Sequence, residues 1–247
     1  MQIIPLSEGS FTIDKTKVFI PFDKSTDDLQ QRAIGSLLVE IQPFAVVTKK
    51  DILLLDTGLG FHTKAGNMQL HQNLLNNGID PAAVTKILLS HLHKDHAGGI
   101  QDKKENSTIT QLSFPNAYYY VNKKELAFAT ENKTASYITE DFSLLDSSDR
   151  LVLLDDEGII DNYIEYKLSG AHCPYHIVFW IKEDDQTFFY GGDVAPQLQQ
   201  MKSRFVAKYD FDGRKSMELR MKWWEEGKQD HWTFLFYHDI KTPTISL

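Results

Sequence analysis

The chain has 247 residues, of which 42% are hydrophobic, and it carries a formal net charge of −8. This length allows one large domain with a substantial core and leaves little room for a second, so we expect a single domain over residues 1–247. Proteins that bind nucleic acids usually neutralise phosphates with a basic face. The acidic balance therefore argues against a nucleic-acid partner.

Cysteine usage and the N-terminus bear on the compartment. The chain has one cysteine, Cys173, which excludes an intrachain disulfide and four-cysteine zinc sites. The first residues lack a basic start followed by a long apolar run, and no stretch approaches membrane-spanning length. We therefore expect a cytoplasmic protein with no membrane partner.

In chain order, the first half alternates short apolar runs with a helical pattern. Strands are predicted at Phe44–Val47, Ile52–Leu55 and 87–89, because these runs are short and rich in aliphatic and β-branched residues. A helix is predicted over residues 67–77. Residues 15–33 are also compatible with a helix. Phe22, Asp27 and Leu29 lie within this segment, and Ile34 directly follows it. That segment is a candidate for a lid or a homodimer contact, although an ordinary surface helix explains it equally well.

The second half is richer in strands. We predict strands at 117–121, Leu151–Leu154, Ile164–Leu168, 177–181 and 187–190. Between the first two, Asn122 opens a helix in which Glu125 completes a capping box. A late helix over 213–226 places Met217, Met221 and Trp224 on one face, which predicts a stripe packed against the core. The polar segments 101–113 and 130–148 are candidates for shaping substrate choice.

The most informative segment is Ser90-His91-Leu92-His93-Lys94-Asp95-His96-Ala97-Gly98-Gly99, directly after the apolar run at 87–89. Two histidines separated by one residue project to the same side of an extended chain, so His91 and His93 can bind one ion. The following turn can direct Asp95 and His96 to a second ion. A solvated polar loop is the alternative, but so many histidines in a short loop are uncommon, and the segment predicts a metal site.

Further candidate ligands follow other apolar runs. They are Asp56 in Asp56-Thr57-Gly58, His172 and His176 in the turn at 169–176, Asp193 after the run at 188–190, and His238 after the run at 234–237. A strand end fixes a ligand, while the loop beyond it leaves coordination positions open for water and substrate, as catalysis requires. We expect these side chains to converge at one edge of the sheets.

The order and spacing of these motifs resemble the metallo-β-lactamase superfamily, with its His-x-His-x-Asp-His signature, over most of the chain. The resemblance implies an α+β fold, an αββα sandwich of two mixed β-sheets with helices on the outer faces. It also implies a ligand set: His91, His93 and His172 for one metal, Asp95, His96 and His238 for a second, and Asp193 bridging the two.

The same resemblance implies two divalent ions and a metal-bridging hydroxide as the nucleophile. Zinc is the expected metal, although imidazole and carboxylate also suit iron, manganese or cobalt. His93 stands where the oxygen-reducing di-iron members carry a glutamate, which disfavours a redox role. We expect hydrolysis of a small-molecule ester-like substrate, with Asp95 as the catalytic residue that orients the nucleophile and relays a proton to the leaving group.

Chain size and the segment at 204–212 resemble more specifically the branch of acyl-homoserine lactonases and methyl-parathion-type phosphotriesterases. A lactone or a phosphotriester is therefore the expected substrate. Lactonases of this branch often present a tyrosine three residues after the bridging aspartate, where this chain has Pro196, so another aromatic residue would have to take that role.

Two alternative functions stay open. One is a glyoxalase-II-like thioesterase, which would normally add a C-terminal helical domain with basic residues, whereas this chain ends shortly after His238. The other is a non-catalytic metal-binding protein on the same fold, whose ligands would be eroded.

Several residues near the motifs have expected structural roles. Asp56 is expected to support a ligand rather than to bind metal itself. His176 is expected to form structural hydrogen bonds, and Cys173 to be a small buried side chain. Surface or capping roles are expected for the histidines outside the motifs, His62, His71 and His231, of which His62 could instead line the pocket.

Overall fold

Two six-stranded mixed sheets form the centre of the protein in a computed structural model that describes residues 1–103, 110–132 and 134–247. Strands are numbered in chain order. From edge to edge, the first sheet contains β1 (Gln2–Pro5), β5 (Phe44–Val47), β6 (Ile52–Leu55), β7 (Lys86–Leu88), β10 (Tyr118–Asn122) and β11 (Leu151–Leu154). Pairing is antiparallel from β1 to β6 and parallel from β6 to β11.

The second sheet contains β12 (Glu157–Ile160), β13 (Ile164–Leu168), β14 (Ile177–Glu183), β15 (Gln186–Tyr190), β16 (Thr233–Leu235) and β17 (Thr244–Ser246). Strands β15 and β16 are parallel, and the other neighbours are antiparallel. The two mixed sheets confirm the predicted α+β class.

Smaller elements surround the sandwich. They are a sheet of β3 (Ile20–Pro21), β2 (Gly9–Ile13) and β4 (Leu37–Ile41), a ribbon of β8 (Gln101–Asp102) and β9 (Gln111–Leu112), and the helices α1 (Gln69–Asn76), α2 (Lys94–Ala97), α3 (Lys123–Glu131), α4 (Leu198–Met201) and α5 (Gly213–Gln229). Short 3₁₀ helices lie at Leu29–Gln31, Pro81–Ala83, Thr139–Asp141, Leu145–Ser147 and Gly192–Val194. In the described part of the chain, none of the helices is both long and apolar enough to cross a membrane.

The layer order follows from the alternation of side chains along each strand. In β6, Leu53 and Leu55 belong to the core between the sheets, whereas Leu54 packs outward with the buried residues of α1 and α3. In β15, Tyr190 faces the inner core, and Phe189 faces outward against Trp223 of α5 with ring centroids 4.9 Å apart. Helices thus cover the outer face of each sheet, and the predicted αββα sandwich is confirmed.

The possible helix at 15–33 is wrong. The segment contains β3 and a single 3₁₀ turn, because its aspartates cap local turns: the side chain of Asp23 accepts from Ser25 N, and that of Asp28 accepts from Gln30 N. Such turns compete with helical hydrogen bonds. Of the two polar segments at 101–113 and 130–148, residues 104–109 and 133 lie outside the described residues.

The predicted stripe on the late helix is also wrong. Met217 is half-buried and Met221 is 37% exposed, while only Trp224 of the predicted stripe is buried. The buried face of α5 instead contains Ser216, Arg220, Trp223, Trp224 and Gly227. Arg220 can lie inside because its guanidinium donates to Val194 O at 2.9 Å and to Phe205 O at 2.5 Å.

Candidate metal centre

Ends of strands from both sheets deliver the predicted ligands to one edge of the sandwich. The loop after β7 carries His91 and His93, and α2 continues it; the other positions follow β13, β15 and β16. The structure brings together all seven predicted side chains, in one group of His91, His93, His172 and Asp193 and a second group of Asp95, His96 and His238. Within each group, the candidate ligand atoms lie within 4.8 Å of one another.

The carboxylate of Asp193 lies between the two groups. Its Oδ2 is 3.2 Å from His172 Nε2 and 4.0 Å from His91 Nε2. Its Oδ1 is 3.0 Å from His96 Nε2 and 2.9 Å from His238 Nε2. One oxygen therefore faces each group, which is the arrangement that a bridging carboxylate requires.

The remaining two side chains complete the groups from the cavity side. His93 presents Nδ1, which is 3.2 Å from His172 Nε2. Asp95 Oδ2 is 3.6 Å from His238 Nε2 and 3.7 Å from His96 Nε2. Each group thus combines imidazole nitrogens with a carboxylate oxygen, a donor set that suits zinc and other divalent ions.

Asp56 supports the site without facing it. The carboxylate is fully buried and accepts from Ser90 N, Ser90 Oγ, His96 Nδ1 and Tyr190 OH at 2.5–2.7 Å. Because Asp56 accepts from His96 Nδ1, the lone pair of that ring lies on Nε2, which points into the second group. The expectation that Asp56 acts through a ligand agrees with this geometry.

Three other imidazoles are held in the same way. His172 Nδ1 is 2.8 Å from Asp210 Oδ1, His238 Nδ1 is 2.8 Å from Glu40 O, and His91 Nδ1 is 3.0 Å from Ser90 Oγ. A carbonyl and a carboxylate can only accept, and Ser90 Oγ already donates to Asp56. Each ring therefore carries its proton on Nδ1 and turns the Nε2 lone pair inward.

The polar atoms at the centre face mainly one another. Apart from the contacts within the cluster, His91 Nε2, His96 Nε2 and Asp193 Oδ1 are buried and have no hydrogen-bond partner among the described residues. Buried polar atoms are normally satisfied, so converging lone pairs of this kind fit a bound cation. The residues present therefore fit the divalent metals that the ligand pattern implies.

Electrostatics in the metal-free cluster agree with this interpretation. Burial, followed by the neighbouring His96 and His172 respectively, lowers the pKa of His91 and of His93 well below the usual range. Burial acts in the same direction on His96, but the nearby carboxylates, first among them Asp193, outweigh it and hold its pKa well above the usual range. The acids therefore hold positive charge at the centre, and a metal ion would replace these protons.

A second buried layer lies beneath the ligands. His176 Nε2 accepts from Asp193 N at 3.2 Å, and its Nδ1 is 3.0 Å from Ser169 Oγ, which confirms the structural role predicted for His176. Cys173 is buried, as predicted, with Sγ 3.6 Å from Glu125 Oε2. These contacts fix the backbone on either side of His172 and Asp193.

Glu125 differs from its predicted role. Asn122 caps α3 by accepting from Lys124 N and Glu125 N, but the Glu125 carboxylate does not complete the capping box. It turns inward and accepts from Leu92 N at 3.0 Å and Tyr137 OH at 3.1 Å. Burial raises the pKa of this carboxyl above its usual range. Glu125 thereby holds the peptide between His91 and His93.

A cavity of about 1030 Å³ opens directly over the cluster. His93, Asp95, His172, Asp193 and His238 line its floor, whereas His91 and His96 are fully buried below. The walls come from residues 13–39, from the region of Phe128 and Tyr137, and from residues 196–211, including Pro196 and Tyr209. This volume suits a small organic substrate.

The histidines outside the motifs lie away from this cavity. His62 Nε2 is 2.8 Å from Asp102 Oδ1, and His71 Nε2 donates to Ser113 O at 2.9 Å. His231 is exposed and its Nδ1 is 3.3 Å from Leu247 O. The alternative of His62 as a pocket residue is wrong, because it is not among the described residues that line the cavity.

Sequence reasoning missed several supporting groups, among them Asp210, Glu125 as a loop anchor, and the carbonyl of Glu40. Asp210 lies in the segment at 204–212 that resembled a family branch, yet nothing in its spacing indicated contact with His172, 38 residues away. Glu125 was visible only as a helix cap. A backbone carbonyl leaves no signal in a sequence at all.

The fold and the His/Asp cluster define a metal-binding member of a known superfamily. The model of the metallo-beta-lactamase superfamily matches residues 40–242, and the chain belongs to that superfamily. Comparison with curated protein sequences gave no match.

Solved structures share the fold at low sequence identity. A probable metal-dependent hydrolase from Staphylococcus aureus is 20% identical with a TM-score of 0.79, covering 99% of this chain and 91% of that one. The hydrolase AbOPH is 21% identical with a TM-score of 0.75, over 99% and 89%. AidC, a dizinc quorum-quenching lactonase bound to its product, is 20% identical with a TM-score of 0.69, over 98% and 88%. At these identities the likeness concerns the fold.

Proposed function

We propose that the protein is a cytoplasmic metal-dependent hydrolase that binds two divalent cations, zinc in the first instance, and cleaves an ester-like bond of a lactone or phosphotriester. The observation that carries this proposal is the position of Asp193, with Oδ2 toward His91 and His172 and Oδ1 toward His96 and His238. The ligands named by the sequence motifs, which include Asp95 and His93, would complete the two sites. Solved relatives of the same fold include lactonases.

When bound, the two cations would supply Lewis-acid activation of water and of the substrate oxygen. The chain's own contribution is to hold the ligand lone pairs in place before substrate arrives. Four imidazoles have their outer nitrogens fixed by Ser90, Asp56, Asp210 and Glu40 O. Little reorganisation is then needed at the moment of reaction.

Asp95 is the proposed acid–base residue. It lines the cavity floor, and Tyr237 OH fixes its backbone by donating to Asp95 O at 2.5 Å. In ester hydrolysis, a water oxygen bonds to the carbonyl carbon and the bond from that carbon to the leaving oxygen breaks. The Asp95 carboxylate would orient the water and transfer its proton to the leaving oxygen.

Tyr209 is the aromatic residue that we propose in place of the tyrosine missing at Pro196. Both residues line the cavity, and the Tyr209 ring lies 6.2 Å from the His172 ring, centroid to centroid. Burial raises the pKa of Tyr209 to about 12, so its hydroxyl remains a donor at neutral pH. By contrast, the hydroxyl of Tyr137 already donates to Glu125.

The proposal is tested by elemental analysis of the purified protein and by a substrate panel. The panel contains lactones, aryl phosphotriesters, aryl esters, thioesters, β-lactams and phosphodiesters. We expect about two metals per chain and turnover of lactones, aryl esters or phosphotriesters. A metal-loaded protein that turns over thioesters alone would favour the glyoxalase-II-like alternative, and one that turns over nothing would favour a non-catalytic role.

Two variants test whether metal binding and turnover depend on the candidate metal centre. Asp193→Ala should lose metal and reduce turnover by about 10³-fold or more, because one carboxylate serves both groups. Asp155→Ala, which removes an exposed carboxylate paired with Lys123, is the matched control and should retain both. Full activity in metal-depleted Asp193→Ala protein would refute the two-metal centre.

A further inference from the structure

The cavity walls carry an excess of positive charge although the protein as a whole is acidic. Five basic residues line the cavity: Lys15, Lys17, Arg32, Lys94 and Lys208. Of the four acids that line it, Asp95 and Asp193 belong to the ligand cluster and Asp210 holds His172. The fourth, Asp14, accepts from Thr16 N and Thr16 Oγ1 in its own turn. Away from the floor, the charged groups of the cavity wall are therefore five cations and the one carboxylate of Asp14, in a chain with a net charge of −8.

Within the described part of the chain, these wall cations also lack ion-pair partners. Elsewhere, lysines such as Lys24, Lys49 and Lys86 lie within 2.5–2.9 Å of a carboxylate oxygen. None of the five wall cations has a carboxylate oxygen within 4.0 Å among the described residues. Unpaired like charges gathered around a cavity raise the free energy of the empty state and attract an anion.

Two of the five lie beside the candidate metal centre and in contact with each other. Lys94, the residue between His93 and Asp95, extends over the Phe19 ring, with Nζ 5.7 Å from its centroid. Its ammonium donates to Lys17 O at 2.5 Å. Lys17 has a left-handed backbone, with φ of 59°. Both lysines line the same cavity as the candidate ligands His93 and Asp95.

We propose that Lys17 and Lys94 bind an anionic group of the substrate. The inference rests on the proposed function and narrows it: the substrate is an ester or lactone that also carries a carboxylate or phosphate, separated by an apolar linker from the bond that is cleaved. Phe19, beside Lys94, and Phe128 and Tyr137 also line the cavity and would contact the linker. Ammonium groups bind carboxylate and phosphate as point charges, so the chemistry of both lysines serves either anion.

Matched esters test this directly. The wild-type enzyme, loaded with metal, is assayed with 4-nitrophenyl hexanoate and with mono(4-nitrophenyl) adipate, which has the same carbon chain but ends in a carboxylate. A third ester, 4-nitrophenyl 5-phosphonopentanoate, distinguishes a phosphorus anion from a carboxylate. We expect kcat/KM to be at least about tenfold higher for one of the charged esters, equivalent to about 1.4 kcal/mol.

Charge-removing variants locate the effect. Lys17→Met and Lys94→Met keep the apolar stem and should each reduce the preference for the charged ester about tenfold. Lys50→Met removes the same charge from an exposed position between β5 and β6 and should leave the preference unchanged. A wild-type enzyme without preference for a charged ester, or a preference that survives in both cavity variants, would overturn the proposal.

Binding of the products provides a readout that does not depend on turnover. Hexanoate and adipate each offer one carboxylate to the centre, and adipate has a second one for the lysines. Calorimetry on the metal-loaded protein should show adipate binding about tenfold more tightly than hexanoate, with the difference lost in Lys17→Met. If the wild type hydrolyses no ester but shows this binding difference, the proposed function fails and the anion site stands. An equal difference in Lys17→Met would refute the anion site alone.

Discussion

Strand β6 has a buried aspartate at each end, and the two carboxylates make similar hydrogen bonds with different consequences. Asp51 lies immediately before the strand and Asp56 immediately after it, and both carboxylates are buried. Each accepts a tyrosine hydroxyl from the second half of the sandwich: Tyr163 OH lies 2.6 Å from Asp51, and Tyr190 OH lies 2.5 Å from Asp56. Each carboxylate thus ties the first sheet to the second.

The difference lies in the cationic partner. Asp51 accepts from Lys86 Nζ at 2.5 Å and from Thr85 Oγ1 at 2.7 Å, and Lys86 Nζ also lies 2.9 Å from the half-exposed carboxylate of Asp161. Asp56 accepts from His96 Nδ1, whose other nitrogen faces the candidate metal centre. An ammonium group can only donate, so Lys86 joins carboxylates, whereas an imidazole that donates from one nitrogen directs the lone pair of the other toward whatever lies beyond it. The same fold element therefore serves stability at one end and ligand orientation at the other.

The largest expected effect contrasts Asp56→Asn with Asp51→Asn. The amide at position 56 would present N–H groups to Ser90, Tyr190 and His96 Nδ1, which would drive His96 into the tautomer that protonates Nε2. We expect metal affinity to fall about 10–100-fold. Asp51→Asn leaves Lys86 with only the half-exposed Asp161 and should lower the free energy of unfolding by about 3 kcal/mol, without changing metal affinity.

Metal titration and urea denaturation of both variants measure these two quantities. If Asp51→Asn weakens metal binding as much as Asp56→Asn does, the two hydrogen-bond networks are coupled, and the proposed difference between the two ends of β6 is refuted.

The next largest effect is expected for Glu8, whose carboxyl lies near Asp56 and makes the stability of the protein depend on pH. Glu8 is buried against the turn after Asp56; its Oε2 accepts from Leu59 N at 2.7 Å, and its Oε1 has no hydrogen-bond partner among the described residues. Burial raises the pKa of Glu8 from 4.5 to about 8. Between these values the unfolded chain has lost the proton that the folded protein keeps, so this group lowers the free energy of unfolding as the pH rises.

Glu8→Gln keeps the acceptor and removes the titration. Relative to the wild type, the variant should gain stability between about pH 5 and pH 8, reaching a few kcal/mol, since each pKa unit corresponds to about 1.4 kcal/mol. Urea midpoints at several pH values measure the difference. A difference that does not change with pH would contradict the prediction. Asp51 behaves oppositely: hydrogen bonds led by Lys86 outweigh its burial and lower its pKa.

A smaller effect is expected when each tyrosine loses its hydroxyl. Tyr190→Phe and Tyr163→Phe each remove one hydrogen bond to an aspartate, which should cost about 1 kcal/mol of stability. Tyr190→Phe should in addition weaken metal binding a few-fold, whereas Tyr163→Phe should not. Thermal denaturation with and without added zinc distinguishes them, because the metal-dependent part of the Tm shift would change only in Tyr190→Phe.

The smallest effect is expected for Cys173→Ala. The thiol is buried next to His172 but contributes only weak contacts to Glu125. Metal content and turnover should match the wild type, with a stability change of about 1 kcal/mol or less. Loss of activity on treatment of the wild type, but not of Cys173→Ala, with a thiol reagent would show that access to the site passes this residue and would contradict a purely structural role.

The strands that the sequence predicted best have a clear apolar pattern. Strands β5, β6 and β11 are uninterrupted apolar runs, β13 alternates apolar and charged residues, and all four have the predicted bounds, because such patterns between polar turns are unambiguous. The metal motif was equally local, since His91 to His96 lie within one loop and a short helix. Strand β7 begins and ends one residue before the prediction, because Lys86 is paired and Leu89 lies past the last paired residue. Strand β10 begins and ends one residue after the prediction, because the polar Asn122 is still paired with Leu154.

Features that depend on distant parts of the chain could not be predicted. Arg220 is buried because carbonyls at Val194 and Phe205 receive its guanidinium, and neither residue is close in sequence. Glu125 reaches Cys173, 48 residues away, although its position after Asn122 indicated a helix cap. Whether a polar residue is buried depends on partners that tertiary structure supplies, and a single sequence does not show them.

The cavity has a consequence for how this enzyme could be re-engineered. Most of its wall comes from residues 13–39 and 196–211, neither of which contains a candidate ligand, while the candidate ligands lie beyond strand ends elsewhere in the chain. A combinatorial library at Leu37, Gln199 and Phe205 would therefore change which molecules fit without disturbing the chemistry beneath. Within the second segment, Asp210 must stay fixed because it anchors His172, and Tyr209 must stay fixed because of its proposed role beside His172. Substitutions in the cavity wall would therefore change substrate choice, whereas the candidate ligands on the cavity floor must be retained.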